Sequence, residues 1–511
     1  MSGIAKSLGH DTSIFDVGKF DDDYVISYVE KKENAGFFIP VEHINEKKER
    51  KISSHEGIIA KIIEFKPDII AFSLMSGEHI IAKKITSSIK SKFPKIPIIW
   101  GGIHPTVDPE GCIKSGADYI CIGEGLIAFK NFLTSMEKSG SVTTGNNIIS
   151  TKDLNVNIEL VKNNLLPLEM ELDKLPYLDW SIFDESDFVK GLSDFLNDSG
   201  EKRTRIGEYM INWGCPNRCT YCFNYSYRKM YGKNYKLRSY SPERVIAELK
   251  YLKDHYNIEV FRFFDDDFFL LSERYMREFC ALYVKHINIP YIVNGFANTI
   301  TEEKVRLLKN SGCGEVGIGI ENGDEEYRKA ILGRTDTLNK IKNACKLLKK
   351  YQIRIFTFNL IATPYYTREL HEKTISINRE INPDIANLSF FTPFLETELR
   401  QLAIEDGSYD PSKDDIVENY NFLSPSLVFK NLSKKDLLTM YNLFSLYVKL
   451  PEESFKYLKF IEDNDIRGEI MREKLLLIYQ KEKKRIGNRT GMKIEISKEN
   501  FQELDKIIKE T

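Results

Sequence analysis

Short, continuous apolar segments alternate with amphipathic helical segments along most of this chain, and this order constrains the fold more than any other feature. Three apolar runs near the start, 67–75, 96–102 and 118–123, are flanked by turn residues and are typical of strands buried on both faces. Amphipathic segments lie before and between these runs and after the last one, at 55–65, 77–93 and 124–136. The alternation predicts an α/β fold with a doubly wound parallel sheet, in which 37–44 is a further strand.

The same alternation resumes after residue 204 and continues for six units. The predicted strands are 206–213, 258–266, 290–298, 314–321, 353–361 and 385–391. The first helix between them begins with Ser241 and Pro242, a typical helix start. Six units are too few for a closed eight-stranded barrel, so we expect an open, partial (β/α)6 barrel. Its reactive groups should lie at the carboxyl ends of the strands.

The length of 511 residues exceeds what one hydrophobic core usually accommodates, and the pattern divides the chain into four parts. We expect a Rossmann-like domain at 1–145, a linker and strap at 146–200, the partial barrel at 201–408 and a helical domain at 409–511. The last part is rich in Lys and Glu. It is either a solvated helical cap or a lid and docking surface for a substrate.

The charge balance excludes some classes of protein. Lys and Arg number 73 and Asp and Glu 75, which gives a net charge of −2 and argues against a general nucleic-acid binder. No apolar run approaches the roughly 18 residues of a membrane span. The start, MSGIAKSLGHDTS, contains no apolar signal segment. We therefore expect a cytoplasmic protein with no nucleic-acid partner and no membrane span.

Three cysteines, Cys215, Cys219 and Cys222, form a C-x3-C-x2-C cluster directly after the first barrel strand. Thiolates suit zinc or iron–sulfur clusters, but structural zinc needs a fourth ligand and the next histidine is His255. Three close thiolates fit a [4Fe–4S] cluster with one open iron. The alternatives are zinc and a chance cluster in the core. We interpret the other cysteines as small buried hydrophobes: Cys112, Cys121, Cys280, Cys313 and Cys345.

This loop resembles the signature of the radical S-adenosylmethionine (radical SAM) superfamily, with the aromatic Tyr221 before the last cysteine. The resemblance implies a cluster whose open iron binds S-adenosylmethionine. An electron from an external reductant of the flavodoxin or ferredoxin type then cleaves it to a 5′-deoxyadenosyl radical.

Residues at other strand ends match cofactor-binding positions of this family. The resemblance assigns Asp265 and Asp266, after the second strand, to the methionyl amine, although one of three adjacent aspartates can instead cap a helix. It assigns Glu321, at the end of the fourth strand, to the ribose or carboxylate. Asn298, at the end of the third strand, is expected to line the same cavity. No residue is singled out as catalytic.

The N-terminal domain and the segment Leu175–Trp180 resemble the cobalamin-binding subgroup of these enzymes. The implied cobalamin-binding residues follow three successive strands: Ser73, Leu74, Gly101, Gly102, His104, Gly123 and Glu124. A D-x-H-x-x-G motif, which would supply an axial histidine, is absent from the sequence.

Together these resemblances imply a cobalamin-dependent radical SAM enzyme. The commonest implied reaction is transfer of a methyl group through methylcobalamin to an unactivated carbon of a small-molecule or peptide substrate. Alternatives are an enzyme of the same architecture that catalyses a cyclisation, rearrangement or oxidation, and an iron–sulfur or cobalamin-binding scaffold or sensor. The sequence identifies neither the substrate nor the oligomeric state.

Overall fold

The computed structural model describes residues 1–17, 53–153, 157–190, 204–413, 424–463, 466–486 and 493–509. Two parallel sheets organise this part of the chain, one in each half. The predicted strand at 37–44 lies outside the described residues.

The N-terminal sheet is doubly wound, as predicted. Its strands are β1 (Ile70–Ser73), β2 (Ile98–Gly101), β3 (Tyr119–Cys121) and β4 (Ile148–Ser150). They lie in that order, with β1, β2 and β3 parallel and β4 antiparallel to β3. The sheet thus extends past residue 145, where the sequence placed the end of the domain. The helices are α1 (Ser2–Ser7), α2 (Ser54–Phe65), α3 (His79–Lys92), α4 (Ile103–Val107), α5 (Pro109–Lys114), α6 (Gly125–Ser139) and α7 (Ile158–Asn163).

The second sheet contains the six predicted strands of the barrel in parallel. Its strands are β5 (Val189–Lys190), β6 (Thr204–Tyr209), β9 (Val260–Phe263), β10 (Tyr291–Gly295), β11 (Cys313–Glu321), β12 (Arg354–Ile361) and β13 (Ile385–Phe390). The spatial order follows the chain from β6 to β13, and β5 adds an antiparallel edge beside β6. Two short strands, β7 (Asn212–Trp213) and β8 (Arg238–Ser239), form a separate antiparallel pair. The sequence had joined β7 to the first barrel strand.

Helices cover one face of the second sheet. The helices packed there are α9 (Pro242–Tyr256), α10 (Glu273–His286), α11 (Glu302–Asn310), α13 (Leu338–Lys350) and α14 (Arg368–Ile381). The same region also contains α8 (Phe223–Tyr231), α12 (Glu325–Ala330) and α15 (Glu398–Glu405). The helix at 241–256 begins as predicted, with the Ser241 side chain accepting the Arg244 backbone N–H and a proline in the first turn. Alternate strand residues pack beneath these helices, which leaves the other residues on the concave face of the sheet.

The segment after the N-terminal domain crosses the barrel surface as a strap. Arg244 on α9 donates to the carbonyl oxygens of Leu175 at 2.7 Å and Pro176 at 2.8 Å. Its guanidinium also lies 4.1 Å from the ring centroid of Tyr177. One arginine therefore fixes the strap against the second sheet's helices.

The C-terminal region is helical, as predicted. Its helices are α16 (Lys434–Lys449), α17 (Phe455–Asp463), α18 (Ile466–Ile486) and α19 (Lys498–Lys509). Tyr441 on α16 stacks on Phe390 of β13, with ring centroids 5.0 Å apart, so the helix covers the strand that ends the sheet. Across the described ranges, none of the helices combines the length and apolar character needed to cross a bilayer.

Candidate functional site

The cysteine loop lies beyond the carboxyl end of β6, between β7 and α8. Distant elements fix its backbone. The Cys215 N–H donates to Tyr235 Oη at 2.7 Å. The Thr220 N–H donates to the Leu332 carbonyl at 3.2 Å, and the Thr220 carbonyl accepts the Leu399 N–H at 2.9 Å. The loop is therefore held at the mouth of the half-barrel.

Neighbouring amides donate to the cysteine sulfurs. Asn217 Nδ2 lies 3.5 Å from Cys215 Sγ, and the backbone of Asn224 hydrogen-bonds to Cys222. Such bonds are typical of thiolates that ligate iron–sulfur clusters. Burial raises the pKa of Cys215 to about 11 and that of Cys222 to about 12. The free chain therefore carries neutral thiols at pH 7, and metal binding has to displace their protons.

The three thiols are close enough for each of Cys215 and Cys222 to feel the charge of Cys219, which contributes to their raised pKa values. Within the described residues, no three His, Cys, Asp or Glu side chains form a group that could hold a metal ion. A [4Fe–4S] cage makes a different demand, because each cysteine binds its own iron. The hydrogen-bond donors around the sulfurs fit such a cage.

The aspartates after β9 alternate in direction, and two of them are structural. Asp265 is buried and accepts the backbone N–H groups of Ile211 at 3.1 Å and Asn212 at 2.6 Å. Asp267 is also buried and accepts the Thr299 hydroxyl at 2.8 Å. The prediction that Asp265 contacts the cofactor is therefore corrected: its carboxylate fixes the start of the cysteine loop.

Asp266 points the opposite way, towards the cysteines. Its carboxylate hydrogen-bonds to Asn224, and its charge contributes to the raised pKa values of Cys215 and Cys222. Burial raises the pKa of Asp266 itself. Of the two aspartates predicted to face the cofactor, Asp266 is the one whose carboxylate lies beside the cysteine loop.

A polar network joins Tyr221 and Glu321 to the cysteine loop through Arg334. The Arg334 guanidinium donates to Asp336 at 2.9 and 3.0 Å and lies 3.4 Å from Tyr221 Oη and 3.7 Å from Glu321 Oε1. Tyr221 and Arg334 both hydrogen-bond to Cys219. Burial raises the pKa of Glu321, and the charge of Arg334 opposes that rise. The predicted residues Tyr221 and Glu321 are therefore brought together beside a cluster cysteine.

Sequence reasoning missed Arg334 and Asp336. They lie in the loop after α12, where charged residues usually face solvent, yet both are buried. The only available signal was their position in a loop after a predicted barrel strand. Asn298 was predicted at this edge; it is exposed, and its Nδ2 donates to Thr335 Oγ1 at 3.4 Å, next to Arg334.

The predicted cobalamin-binding residues of the first two strands lie at one edge of the N-terminal sheet. Ser73 ends β1 and is exposed, whereas Leu74 is buried. The Leu74 N–H donates to the Gly101 carbonyl at 2.8 Å, and the His104 N–H donates to the Leu74 carbonyl at 3.0 Å. The structure thus brings Gly101, Gly102 and His104 against the end of β1, where ligands of open α/β sheets bind.

Gly102 is less able than Gly101 to accept a side chain. Its φ is +102°, and a Cβ there would lie 2.7 Å from the Leu74 carbonyl oxygen, whereas a Cβ on Gly101 would approach no atom more closely than Cys121 Cβ, at 3.5 Å. We expect Gly102→Ala to lower the free energy of unfolding by at least ~2 kcal/mol, from left-handed strain and overpacking. Gly101→Ala is the matched control and should cost under ~1 kcal/mol. Urea unfolding of both variants checks this, and equal costs would contradict it.

His104 pairs with His79 beneath the same edge. Their ring centroids are 4.3 Å apart. His104 Nδ1 lies 3.3 Å from Ser76 Oγ, and His79 Nε2 lies 2.9 Å from Ser115 Oγ. Burial, reinforced by the charge of His79 and opposed by Asp108, lowers the pKa of His104 to about 4. His104 is therefore neutral in the folded protein at pH 7.

The lowered pKa of His104 predicts a pH-dependent stability. Because the unfolded state binds a proton with a pKa near 6.5, it holds more protons than the folded state between pH 6.5 and 4, and stability falls as the pH falls through this window. We expect wild type to lose about 2 kcal/mol more than His104→Gln between pH 7 and pH 5. Urea titrations at both pH values measure this difference, and parallel losses would contradict it.

The loop after β3 contacts the barrel directly. Glu124 accepts two hydrogen bonds from Arg238 of β8, at 2.7 and 2.9 Å, and the two side chains are only 7% and 4% exposed. The Glu124 N–H donates to Tyr231 Oη at 2.9 Å, and a Cβ on Gly123 would lie 2.6 Å from that oxygen. We call Glu124, Arg238 and Tyr231 the interdomain clamp. The Glu124 carboxylate pairs with Arg238, and the role of Glu124 in cofactor binding stays a prediction.

Comparison with known families agrees with this arrangement. Residues 211–376 match the radical SAM superfamily, and residues 33–133 match the B12 binding domain. The first match contains the cysteine loop and the strands from β9 to β12. The second contains the sheet edge described above.

Two relatives span most of the chain. A protein of Pyrococcus horikoshii named as an uncharacterised methyltransferase is 26% identical over 418 residues, covering 80% of this chain and 86% of the relative. An anaerobic magnesium-protoporphyrin IX monomethyl ester cyclase of Cereibacter sphaeroides is 23% identical over 407 residues, covering 78% of this chain and 62% of the cyclase.

A solved structure shares the architecture. The cobalamin-dependent S-adenosylmethionine radical enzyme OxsB, with aqua-cobalamin and S-adenosylmethionine bound, superposes with a TM-score of 0.58 at 16% identity, covering 89% of this chain and 68% of OxsB. The radical SAM match implies a [4Fe–4S] cluster and S-adenosylmethionine as cofactors, and the match to the B12 binding domain implies cobalamin. Because a B12 binding domain precedes a radical SAM domain in one chain, the protein belongs to the cobalamin-binding family of radical SAM enzymes.

Proposed function

We propose that this protein transfers a methyl group to an unactivated carbon of a small-molecule or peptide substrate, in the cytoplasm, with electrons from a flavodoxin- or ferredoxin-type protein. One observation carries the proposal: the interdomain clamp fastens α8 and β8, which flank the cysteine loop, to the loop after β3 at the ligand-binding edge of the B12-type sheet. A substrate at the mouth of the barrel would then face both cofactor sites.

In this proposal, the cysteines and the carboxylates beside their loop bind different parts of the cluster and of S-adenosylmethionine. Cys215, Cys219 and Cys222 hold the cluster, which when bound supplies the electron that cleaves S-adenosylmethionine. Asp266 binds the methionyl amine, because its carboxylate lies beside the cysteines. Glu321 accepts a hydrogen bond from a ribose hydroxyl or lies near the methionyl carboxylate of S-adenosylmethionine. The Arg334 guanidinium, 3.7 Å from Glu321 Oε1, holds the Glu321 side chain in place.

Methyl transfer is favoured over the alternatives by the extent of the matches. The relative named as a methyltransferase aligns over 86% of its own length, whereas the cyclase aligns over 62%. The cyclase keeps a non-methylating reaction as the second candidate. A scaffold or sensor role would leave the polar groups around the S-adenosylmethionine position without use.

Product analysis separates these candidates. The full chain, reconstituted anaerobically with iron, sulfide and cobalamin, is incubated with S-adenosylmethionine and a strong reductant. We expect 5′-deoxyadenosine together with S-adenosylhomocysteine, the latter stoichiometric with bound cobalamin. 5′-Deoxyadenosine alone would favour the non-methylating candidate. Absence of both products from protein that holds its cluster would favour the scaffold.

A further inference from the structure

The concave face of the second sheet forms a lumen below the cysteine loop. Tyr209, Phe261, Phe263, Val293 and Ile318 pack in the core beneath the helices. Because side chains alternate along a strand, the residues between them face the lumen. These lumen-facing residues include Met210, Arg262, Phe264, Asn294, Gly317 and Phe358.

Strand register arranges these side chains in layers. One layer is charged: Glu208 lies opposite Arg262 on the neighbouring strand, and Glu315 lies opposite Arg354. Glu315 and Arg354 form an ion pair at 3.5 Å and are both buried. That pair neutralises itself, so it provides a floor rather than a binding group.

Above the charged layer the lumen is apolar and open. Met210, Phe264 and Phe358 are 37%, 46% and 36% exposed, although each lies within a concave surface. The rings of Phe356 and Phe358 are 4.8 Å apart. Large apolar side chains exposed inside a concavity are typical of ligand-binding cavities. We call Met210, Phe264 and Phe358 the apolar girdle.

Arg262 is the charged group that reaches the girdle. Its guanidinium lies 5.6 Å from the ring centroid of Phe264, which is two residues nearer the cysteine loop. In the part of the chain that the structure describes, no carboxylate comes within 4.0 Å of it, despite the register with Glu208. A half-buried guanidinium without such a partner is suited to bind an anion.

Gly317 makes room for two neighbouring side chains at the level of the girdle. A Cβ at this position would lie 2.5 Å from Asn294 Oδ1 and 2.7 Å from the Phe358 ring. The glycine therefore allows an amide and an aromatic ring to share one level of the lumen. Asn294 adds a polar group that can bind a substrate heteroatom.

We propose that the lumen binds an amphipathic organic anion as the substrate. Its carboxylate, phosphate or sulfonate pairs with Arg262, and its flat apolar body lies against the girdle, below Asp266 and the cysteine loop. The proposal rests on the proposed function, since it names the substrate class of that site.

Two related probes test this assignment by isothermal titration with the full chain, cluster reconstituted. Anilinonaphthalene sulfonate carries the anion and the flat body, and phenylnaphthylamine carries the body alone. We expect wild type to bind one sulfonate per chain. Arg262→Gln should weaken sulfonate binding about tenfold and change phenylnaphthylamine binding less than about twofold. Phe358→Ala should weaken both probes.

Two control variants make the result specific. Arg262→Lys keeps the charge and should recover most of the sulfonate affinity, and Arg306→Gln removes an exposed arginine on α11, outside the lumen, and should bind both probes as wild type does. Equal sulfonate affinity in wild type and Arg262→Gln, or an equal loss of both probes in Arg262→Gln, would overturn the proposal. Probe binding needs no turnover, so wild type that binds the sulfonate as expected but forms no 5′-deoxyadenosine would fail the proposed function alone.

Discussion

Replacement of Cys219 by alanine is expected to abolish 5′-deoxyadenosine formation, to the level of a reaction without protein. Cys219 is buried and receives hydrogen bonds from both Tyr221 and Arg334, so two side chains stabilise its thiolate. A cluster with only two protein ligands is not retained, because thiolates provide its attachment. Iron and sulfide content and the electron paramagnetic resonance signal of the reduced protein measure the loss.

A core cysteine of the same barrel is the matched control. Cys280 on α10 is buried among apolar side chains of the main core and is remote from the loop. Cys280→Ala should keep its cluster and its product formation, at a cost of about 1 kcal/mol in stability. If Cys219→Ala kept a full complement of iron and formed 5′-deoxyadenosine, the assignment of the cluster ligands would be wrong.

Breaking the interdomain clamp is expected to be the most destabilising change away from the cysteines. Glu124→Gln removes the charge that compensates Arg238, whose side chain is only 4% exposed. An uncompensated buried charge typically costs about 3–5 kcal/mol, which is far more than a surface pair. We therefore expect the free energy of unfolding of Glu124→Gln to fall by roughly this amount, measured by urea unfolding.

An exposed ion pair calibrates this measurement. Lys250 and Asp254 form an i,i+4 pair on α9 with both side chains about half exposed. Asp254→Asn should change stability by less than ~1 kcal/mol. A double variant, Glu124→Gln with Arg238→Gln, should recover part of the loss, since no buried charge remains. If Glu124→Gln lowered the free energy of unfolding as little as Asp254→Asn does, the interdomain clamp would not be a main source of stability between the two domains.

Periodicity was sufficient to predict the two sheets, because buried parallel strands and amphipathic helices leave strong local patterns. The six barrel strands were found within a few residues of their ends, and the position of the cysteine loop followed from them. The carboxyl ends of parallel strands share one edge, so Tyr221, Asp266 and Glu321 could be expected to lie near one another.

The roles of individual side chains were harder to predict from the sequence, because they depend on partners that are distant along the chain. Nothing local distinguishes Asp265 from Asp266; only the backbone N–H groups of Ile211 and Asn212 make one structural and leave the other facing the cysteines. Glu124 matched a ligand-binding position, but its partner Arg238 is 114 residues away. In the sequence, Arg334 and Asp336 are typical of a solvated loop, whereas in the structure both are buried and form an ion pair.

The hydrogen bonds that hold the cysteine loop also set an order of events during synthesis. Thr220 is bonded to Leu332 and to Leu399, which is made almost 180 residues after it. A ribosome that has passed the cysteines has therefore not yet produced the segments that shape their loop. We therefore expect iron and sulfide to bind at the fully bonded loop only after the last barrel strand and Leu399 have left the ribosome, and not while the chain is still growing.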